Sequence, residues 1–349
     1  MSSPSDRPLL VRLRNWVGDV ILGLPALQLL AARGYRLQLV GPGWAGDLLA
    51  GHGWTVHRHP ARTAERVALW RQLRHEALAA DPGFDRRLNT LVLTHSFSSA
   101  WETRRAGLRA TGYASDGRSL LLRRAEALQR SDHALQVYWD LACRLINQPL
   151  PAPRRIGLRT TELGQRQADA LLDRHGIRAG FIVICPFTGG LYEKQSKAWP
   201  DFPAFARRLR ELGRDVLLCP GPGEDGEARA YDGGLTTLPG VGLGVYGALL
   251  RRAALVVAND TGPAHLAAAV DAPVLSVLGP TPPEFWGPWG SGVQVLRRWP
   301  QWPSVDEVLL ATERRLAGLP APGCAPGPAL PQRPEPLPVA AGERWGLIR

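Results

Sequence analysis

The chain has 349 residues, 45% of them hydrophobic, which exceeds the usual single core and leads us to expect two domains. Its 42 Lys and Arg against 31 Asp and Glu give a formal charge of +11, an excess that suits nucleic acid, an anionic membrane surface or a phosphorylated substrate. No compact basic stretch with interleaved aromatics occurs, nor any nucleic-acid-binding motif, so nucleic acid is not an expected partner; pairs such as Arg104-Arg105, Arg123-Arg124 and Arg207-Arg208 read as well as solvated faces.

No apolar run has the length to span a bilayer, and Met1 to Leu10 lacks the apolar segment of a signal peptide, so a cytoplasmic or peripheral protein is expected. Cys143, Cys185, Cys219 and Cys324 show no Cys-x-x-Cys pairing and no His at metal-ligand spacing. Cys185 and Cys219 fall at the ends of expected strands, where a reduced thiol is expected.

In chain order, Leu9 to Leu13 forms an opening strand, Asn15-Trp16-Val17-Gly18-Asp19 a turn, and an apolar helix runs on from Val20. Pro25 kinks that helix or marks a restart, because it lacks the donor for the carbonyl of Ile21. Strands over Arg36 to Val40, Thr55 to Arg58 and Leu88 to Thr94 alternate with helices over Trp44 to Ala50 and Ala64 to Ala79. Such alternation calls for a parallel sheet with right-handed crossovers. His95-Ser96-Phe97-Ser98-Ser99 is either an anion or acceptor loop, or Ser98 merely caps the next helix. His133 to Ile146 reads as an amphipathic helix, and no role is assigned to His133.

Three prolines in Asn147 to Arg155 mark a hinge candidate. A helix over Gln165 to His175 and a strand over Phe181 to Cys185 follow; Lys197-Ala198-Trp199-Pro200 then opens a helix ending near Leu212. Arg214 to Cys219 is a strand. The densest signal is Leu255 to Leu278: a buried strand over Leu255 to Ala258, a turn at Asn259-Asp260-Thr261-Gly262-Pro263, a small-residue helix over His265 to Val270, and a strand over Val274 to Leu278. Asp260 thus lies at a strand-to-helix junction like that of Asp19, where exposed N–H groups favour anions. The plainer readings are that these acids only cap helices and that His265 is a packed histidine. Ser304-Val305-Asp306-Glu307 is a capping box opening a helix to about Leu316. Gly318 to Leu337 is Pro-rich and reads as an extended or disordered tail.

Asn15-Trp16-Val17-Gly18-Asp19 with Leu24-Pro25-Ala26-Leu27, Lys197-Ala198-Trp199-Pro200, and Asn259 to His265 with Gly279-Pro280-Thr281-Pro282 resemble, in that order, the ADP-heptose:lipopolysaccharide heptosyltransferases of glycosyltransferase family 9. The Asn-Trp-Val-Gly-Asp form is similar to the heptosyltransferase II branch, and the resemblance runs from about Leu9 to Leu316. Gly107 to Tyr113 resembles the family's Gly-x-Arg-x-x-Gly-Tyr element, and His133-x-x-Gln136-x-Tyr138 lies where the family has a similar segment. The family's Pro-Gly-Ala loop after the Phe181 to Cys185 strand is altered here, with Phe187 for the Gly and Thr188 for the Ala.

The resemblance implies an α/β protein of GT-B type, two Rossmann-like doubly wound domains facing across a cleft. Residues 1–150 form the acceptor domain, 151–317 the nucleotide-sugar domain and 318–349 the tail. Asp19 is the expected general base, with Asn15, Trp16 and Gly18 on the acceptor side. Thr188, Lys197, Asn259, Asp260, Thr261, Gly262 and His265 are expected at the donor, and Glu224, from the family's Gly-Gly-x-x-Glu turn, on its ribose. A sugar hydroxyl needs a carboxylate to take its proton, and a single such base implies one displacement with inversion. With no Asp-x-Asp in the chain, no metal and no cofactor are expected beyond the nucleotide-diphosphate sugar itself. A glycan or glycolipid acceptor is expected, with peripheral contact to the cytoplasmic face of the inner membrane allowed. The competing readings are another nucleotide-sugar and acceptor on the same fold, a non-catalytic nucleotide-sugar-binding protein, and a basic protein held by charge to nucleic acid or membrane.

Overall fold

A computed structural model describes residues 7–128, 133–231, 234–319 and 321–328. In the first half β1 (Arg7–Arg12), α1 (Val17–Ala32), β2 (Tyr35–Gly41), α2 (Ala45–Leu49), β3 (Thr55–Arg58) and α3 (Thr63–Ala80) come first. They are followed by β4 (Thr90–Val92), α4 (Phe97–Arg105), β5 (Ala110–Tyr113), β6 (Arg124–Glu126) and α5 (Ala134–Ile146). The strands lie in the order β3-β2-β1-β4-β5-β6, every pair parallel.

The second half holds α6 (Glu162–Arg174), β7 (Ile182–Cys185), a hairpin of β8 (Leu191–Tyr192) and β9 (Gln195–Ser196), α7 (Phe202–Glu211) and β10 (Val216–Leu218). Then come α8 (Asp225–Ala228), β11 (Thr236–Thr237), α9 (Leu243–Arg252), β12 (Leu255–Ala258), α10 (Gly262–Ala269) and β13 (Val274–Leu278). The half closes with α11 (Pro283–Trp286), β14 (Val293–Arg297), α12 (Val305–Leu316) and β15 (Cys324–Pro326). Its sheet runs β11-β10-β7-β12-β13-β14-β15, parallel except for the last pair.

Both sheets therefore repeat one topology. In each, the chain lays two strands to one side of the first, β2 and β3 beside β1 and β10 and β11 beside β7, then crosses back to the other side. The order reverses between β1 and β4 in the first sheet and between β7 and β12 in the second. At a reversal the loops beyond the strand ends part, and a crevice opens between them. The turn holding Asp19 follows β1, and the turn holding Asp260 follows β12, so each expected junction sits at a reversal.

Packing explains where the strands lie. β7, β12 and β13 are buried along their whole length, as helices on both faces require, and their near-continuous Val, Ile and Leu content follows from that. α1 is buried from Val20 through Leu27, on every side, because it packs against α5 in its own half and against α10 in the other. This overrides the expected break at Pro25. The proline costs one backbone bond, but the surrounding core holds the helix continuous from Val17 to Ala32.

Other expectations shift. The strand expected over Leu88 to Thr94 shortens to Thr90–Val92, and α7 begins at Phe202 rather than at Lys197, which lies in the preceding loop. The tail is not wholly extended or disordered. Cys324–Pro326 pairs antiparallel with β14, Leu296 opposite Cys324 and Gln294 opposite Pro326, and so covers an edge that would otherwise be open. A proline suits this outer strand, where no further partner needs its missing N–H. Residues 329–349 of the expected tail lie outside the described residues.

The hinge candidate is held to the second half. Arg155 pairs with Asp271 at 2.6 Å, and the Trp289 indole N–H donates to the Pro153 carbonyl at 2.9 Å.

Candidate functional site

The two chain reversals meet at the starts of α1 and α10. Trp16 and Thr261 occupy the N-cap positions, and neither caps its helix with a side chain. The first-turn N–H groups of both helices therefore lack side-chain acceptors, and both positive dipole ends face the same region. Glycine permits the approach. A Cβ on Gly18 would stand 2.8 Å from Cδ2 of His265, and one on Gly262 would stand 3.0 Å from Cβ of Val17. The exposed Trp16 indole reaches across to the loop after β7, where a Cβ on Gly189 would lie 3.4 Å from its ring.

Asp19 is not an N-cap but a first-turn residue of α1, two positions inside the helix. Its side chain is only 11% exposed. The Tyr138 hydroxyl donates to Oδ1 at 2.7 Å, and Nη2 of Arg14 lies 3.5 Å from Oδ2. Burial, with the nearby charge of Asp19, pushes the Tyr138 phenol well above its ordinary range. Asn15 is exposed and accepts from Nη2 of Arg12 at 2.9 Å. Burial pushes Arg12 down to about 10, with Glu102 opposing and Arg66 and Arg14 adding to the fall. Burial and the charge of Arg14 do the same to Arg118. Both guanidinium groups are buried and donate to backbone carbonyls, Arg12 to Leu13 and Arg118 to Tyr113 and Thr94.

On the other side, Nζ of Lys197 lies 3.2 Å from Oδ2 of Asp260, and the same oxygen accepts from the Thr281 hydroxyl at 2.7 Å. Asn259 is fully buried. Its Nδ2 donates to the Pro186 carbonyl at 2.6 Å, and its Oδ1 accepts from the Trp199 N–H at 3.2 Å. Both ends of the amide are tied to backbone, so it joins the loop after β7 to the Lys197 segment.

His265 is buried against Gly18, and its Nδ1 has no partner among the described residues. Burial pushes its imidazole below the ordinary range, while Asp260 and then Asp19 pull it back. Gly18 of the first junction packs on this ring of the second, which ties the two junctions into a single site.

Phe187, in place of the family's glycine, turns inward and meets Tyr231 edge-on at 5.8 Å, leaving Thr188 half-buried at the rim. Glu224 folds back on its own turn: Oε2 accepts from the Gly221 N–H at 2.7 Å. Its charge reaches Cys185 and Tyr246, at the end of β7, where Sγ and Oη lie 3.1 Å apart. The structure thus brings Gly18 against His265 and Gly262 against Val17, with Trp16 reaching Gly189 and Asp19 in the same first turn as Gly18, while Asn15 meets Arg12. Lys197 and Asp260 pair beside them, and Glu224 stands farther along the second sheet.

Three groups escaped the sequence reading. Tyr138 carries the strongest contact to Asp19, and its only signal was the His133-x-x-Gln136-x-Tyr138 spacing. His133 caps α5 through Nδ1, which accepts from the Leu135 N–H, and its Nε2 meets the Gly287 carbonyl at 3.0 Å, linking the halves. Glu102 is buried with His59 at 3.2 Å and Arg66 at 3.1 Å. Burial opposes its charge, but these two hydrogen bonds prevail and hold its carboxyl below the usual range.

Among the described residues no group of three His, Cys, Asp or Glu side chains is placed to hold a metal ion, and no helix is long and apolar enough to cross a membrane.

Comparison with known proteins places these features in context. The model of glycosyltransferase family 9 (heptosyltransferase) matches residues 66–312. Lipopolysaccharide heptosyltransferase 1 of Pseudomonas aeruginosa is 30% identical over 310 residues, 81% of each chain. Lipopolysaccharide heptosyltransferase 3 of Escherichia coli is 33% identical over 132 residues, and that match spans 35% of this chain and only 38% of the relative. The solved E. coli ADP-heptose lipopolysaccharide heptosyltransferase II superposes with a TM-score of 0.71 at 23% identity, covering 89% of this chain and 99% of that one. The fold is accordingly of GT-B type, two Rossmann-like sheets whose crevices face each other.

Proposed function

Because the chain belongs to glycosyltransferase family 9, we propose that it is an inverting, metal-independent glycosyltransferase that moves a heptose from ADP-heptose onto a lipopolysaccharide-core or related glycan acceptor. The observation that carries the proposal is the meeting of two uncapped helix starts, with Gly18 packed on buried His265 and Gly262 on Val17, Asp19 in the first turn of one helix and the Lys197–Asp260 pair beside the other. That arrangement sets a carboxylate beside a pocket built for negative charge.

Residues 1–150 hold the acceptor, residues 151–317 hold the donor, and the cleft between them is the reaction site. The N–H groups of Thr261 and Gly262 at the start of α10, with Lys197 and Thr188, face the diphosphate; Glu224 turns from Gly221 to the ribose hydroxyls. Asp19 accepts the proton of the attacking acceptor hydroxyl as its oxygen displaces the nucleoside diphosphate from the anomeric carbon. Charge growing on the leaving diphosphate is met by Lys197 and by the helix-start N–H groups, already oriented before the reaction. Asp260, braced by Thr281, keeps the Lys197 ammonium on that line. Trp16, spanning to Gly189, shields the reacting atoms from water at the mouth. An acceptor that is a glycolipid brings the enzyme to the cytoplasmic face of the inner membrane, with the basic first-half surface toward anionic lipid.

The test is a thermal-shift and turnover panel of ADP-, UDP- and GDP-sugars, ADP-heptose among them, run with and without EDTA. ADP-heptose should stabilise most and turn over with inversion at the anomeric carbon, EDTA making no difference. A UDP-sugar preferred in both assays would overturn the assignment of the donor, and a strict metal requirement would overturn the leaving-group chemistry.

A further inference from the structure

We infer that Tyr138 is a positioning residue for Asp19, selecting which carboxylate oxygen receives the acceptor's proton; the inference rests on the reading of Asp19 as base. Asp19 projects from the first turn of α1, and nothing on its own helix holds its side chain. From α5, 119 residues along the chain, the Tyr138 hydroxyl donates to Oδ1 at 2.7 Å. Only 2% of Tyr138 is exposed, so its hydroxyl is delivered from the core at a fixed place. The helix that carries it is pinned at its start, where His133 caps the first turn and reaches the Gly287 carbonyl of the other half. The placement of Oδ1 is thus coupled to the contact between halves.

The second oxygen is held differently. Arg14 approaches Oδ2 only to 3.5 Å, and its guanidinium lies 6.0 Å from the centre of the Tyr138 ring. A short hydrogen bond occupies Oδ1, while Oδ2 keeps a lone pair for a proton. With Oδ1 anchored, the carboxylate cannot spin about its Cβ–Cγ bond, and Oδ2 stays turned to the cleft. A base held in this way gives up less orientational freedom in the transition state.

Tyr138→Phe removes the hydroxyl and keeps the ring in its place in the core. It should lower kcat about 10-fold, leaving donor KM and melting temperature unaltered. The decisive measurement is a double-mutant cycle with Asp19→Asn. If Tyr138 acts through Asp19, Tyr138→Phe should slow the wild type and have no further effect in the Asp19→Asn background. An equal loss in both backgrounds, or wild-type kcat in Tyr138→Phe alone, would overturn the inference and leave the base assignment standing. Wild-type kcat in Asp19→Asn alone would instead remove the base, and the inference with it.

Discussion

Gly18 offers the sharpest test of how tightly the two helix starts are set. Gly18→Ala would place a methyl group 2.8 Å from Cδ2 and 3.3 Å from Nε2 of His265. Carbon atoms pack at about 3.5–4.0 Å, so the methyl and the ring must separate by roughly 0.7–1.2 Å. The ring has little room to yield, being 6% exposed. The backbone cannot yield freely either, because Gly262 already meets Val17 with no space for its own Cβ. Overpacking of this kind costs about 1–3 kcal/mol, and replacing a helical glycine by alanine returns about 1 kcal/mol. The variant should therefore fold and melt only slightly below the wild type. Its chemistry should suffer more: on the proposed reading α1 carries the base and α10 faces the diphosphate, and a displacement of about 1 Å between reacting groups costs on the order of 10²-fold in rate. Steady-state kcat/KM beside a thermal melt reads both effects. A folded Gly18→Ala enzyme with wild-type kcat/KM would refute the close-approach argument.

Two further outcomes are expected. Lys197→Ala should weaken ADP binding by roughly 10- to 100-fold, since a charge-assisted bond in a half-buried site is worth about 1.5–3 kcal/mol; calorimetry showing unchanged affinity in a folded variant would take Lys197 out of the donor site. Burial pushes His133 down to about 4, against about 6.5 in an unfolded chain, so below pH 6.5 the unfolded chain takes up a proton that the folded one refuses until about pH 4. This group therefore contributes stability above pH 6.5 that falls away by up to about 3 kcal/mol as pH drops through that window. His133→Asn keeps a capping side chain without the titration, so the melting-temperature lead of the wild type should shrink between pH 7.5 and pH 4.5. A lead constant with pH would contradict the assigned burial.

Where local chemistry and burial agreed, the sequence was readable. Leu255 to Ala258 is an uninterrupted apolar run and Val274 to Leu278 is broken only by Ser276, each between turn residues, and both strands lie at those bounds. The Ser304–Glu307 capping box is present with both of its hydrogen bonds. The pattern failed where tertiary packing outweighed a local preference. Pro25 reads as a break but is enclosed by core on all sides. α9 was missed because Gly244 and Gly247 dilute its helical signal, yet Gly244 is there to approach Asp47, whose carboxylate accepts its N–H at 3.0 Å. β14 and the tail strand that covers it went unseen, since an edge pairing depends on what lies beside it.

The site divides in the same way. Asp19, Asp260 and His265 stood out in the sequence at strand-to-helix junctions, and Lys197 at the start of an expected helix. The partners of those residues did not, because Tyr138 lies 119 residues from Asp19 and no spacing rule joins them. Phe187, where the resemblance has a glycine, packs its buried ring beside Tyr231, and Thr188 after it is half-buried. Asn259, read as a donor contact, is buried and joins two loops through Pro186 and Trp199.

The central claim is that Asp19 takes the proton, and a single-turnover rate for Asp19→Asn with donor saturating tests it most directly. Asparagine preserves the shape and can still accept from Tyr138, while it cannot serve as the base. The account predicts a rate lower by about 10²–10⁴-fold, with donor affinity and melting temperature unaltered. A rate equal to that of the wild type would contradict it.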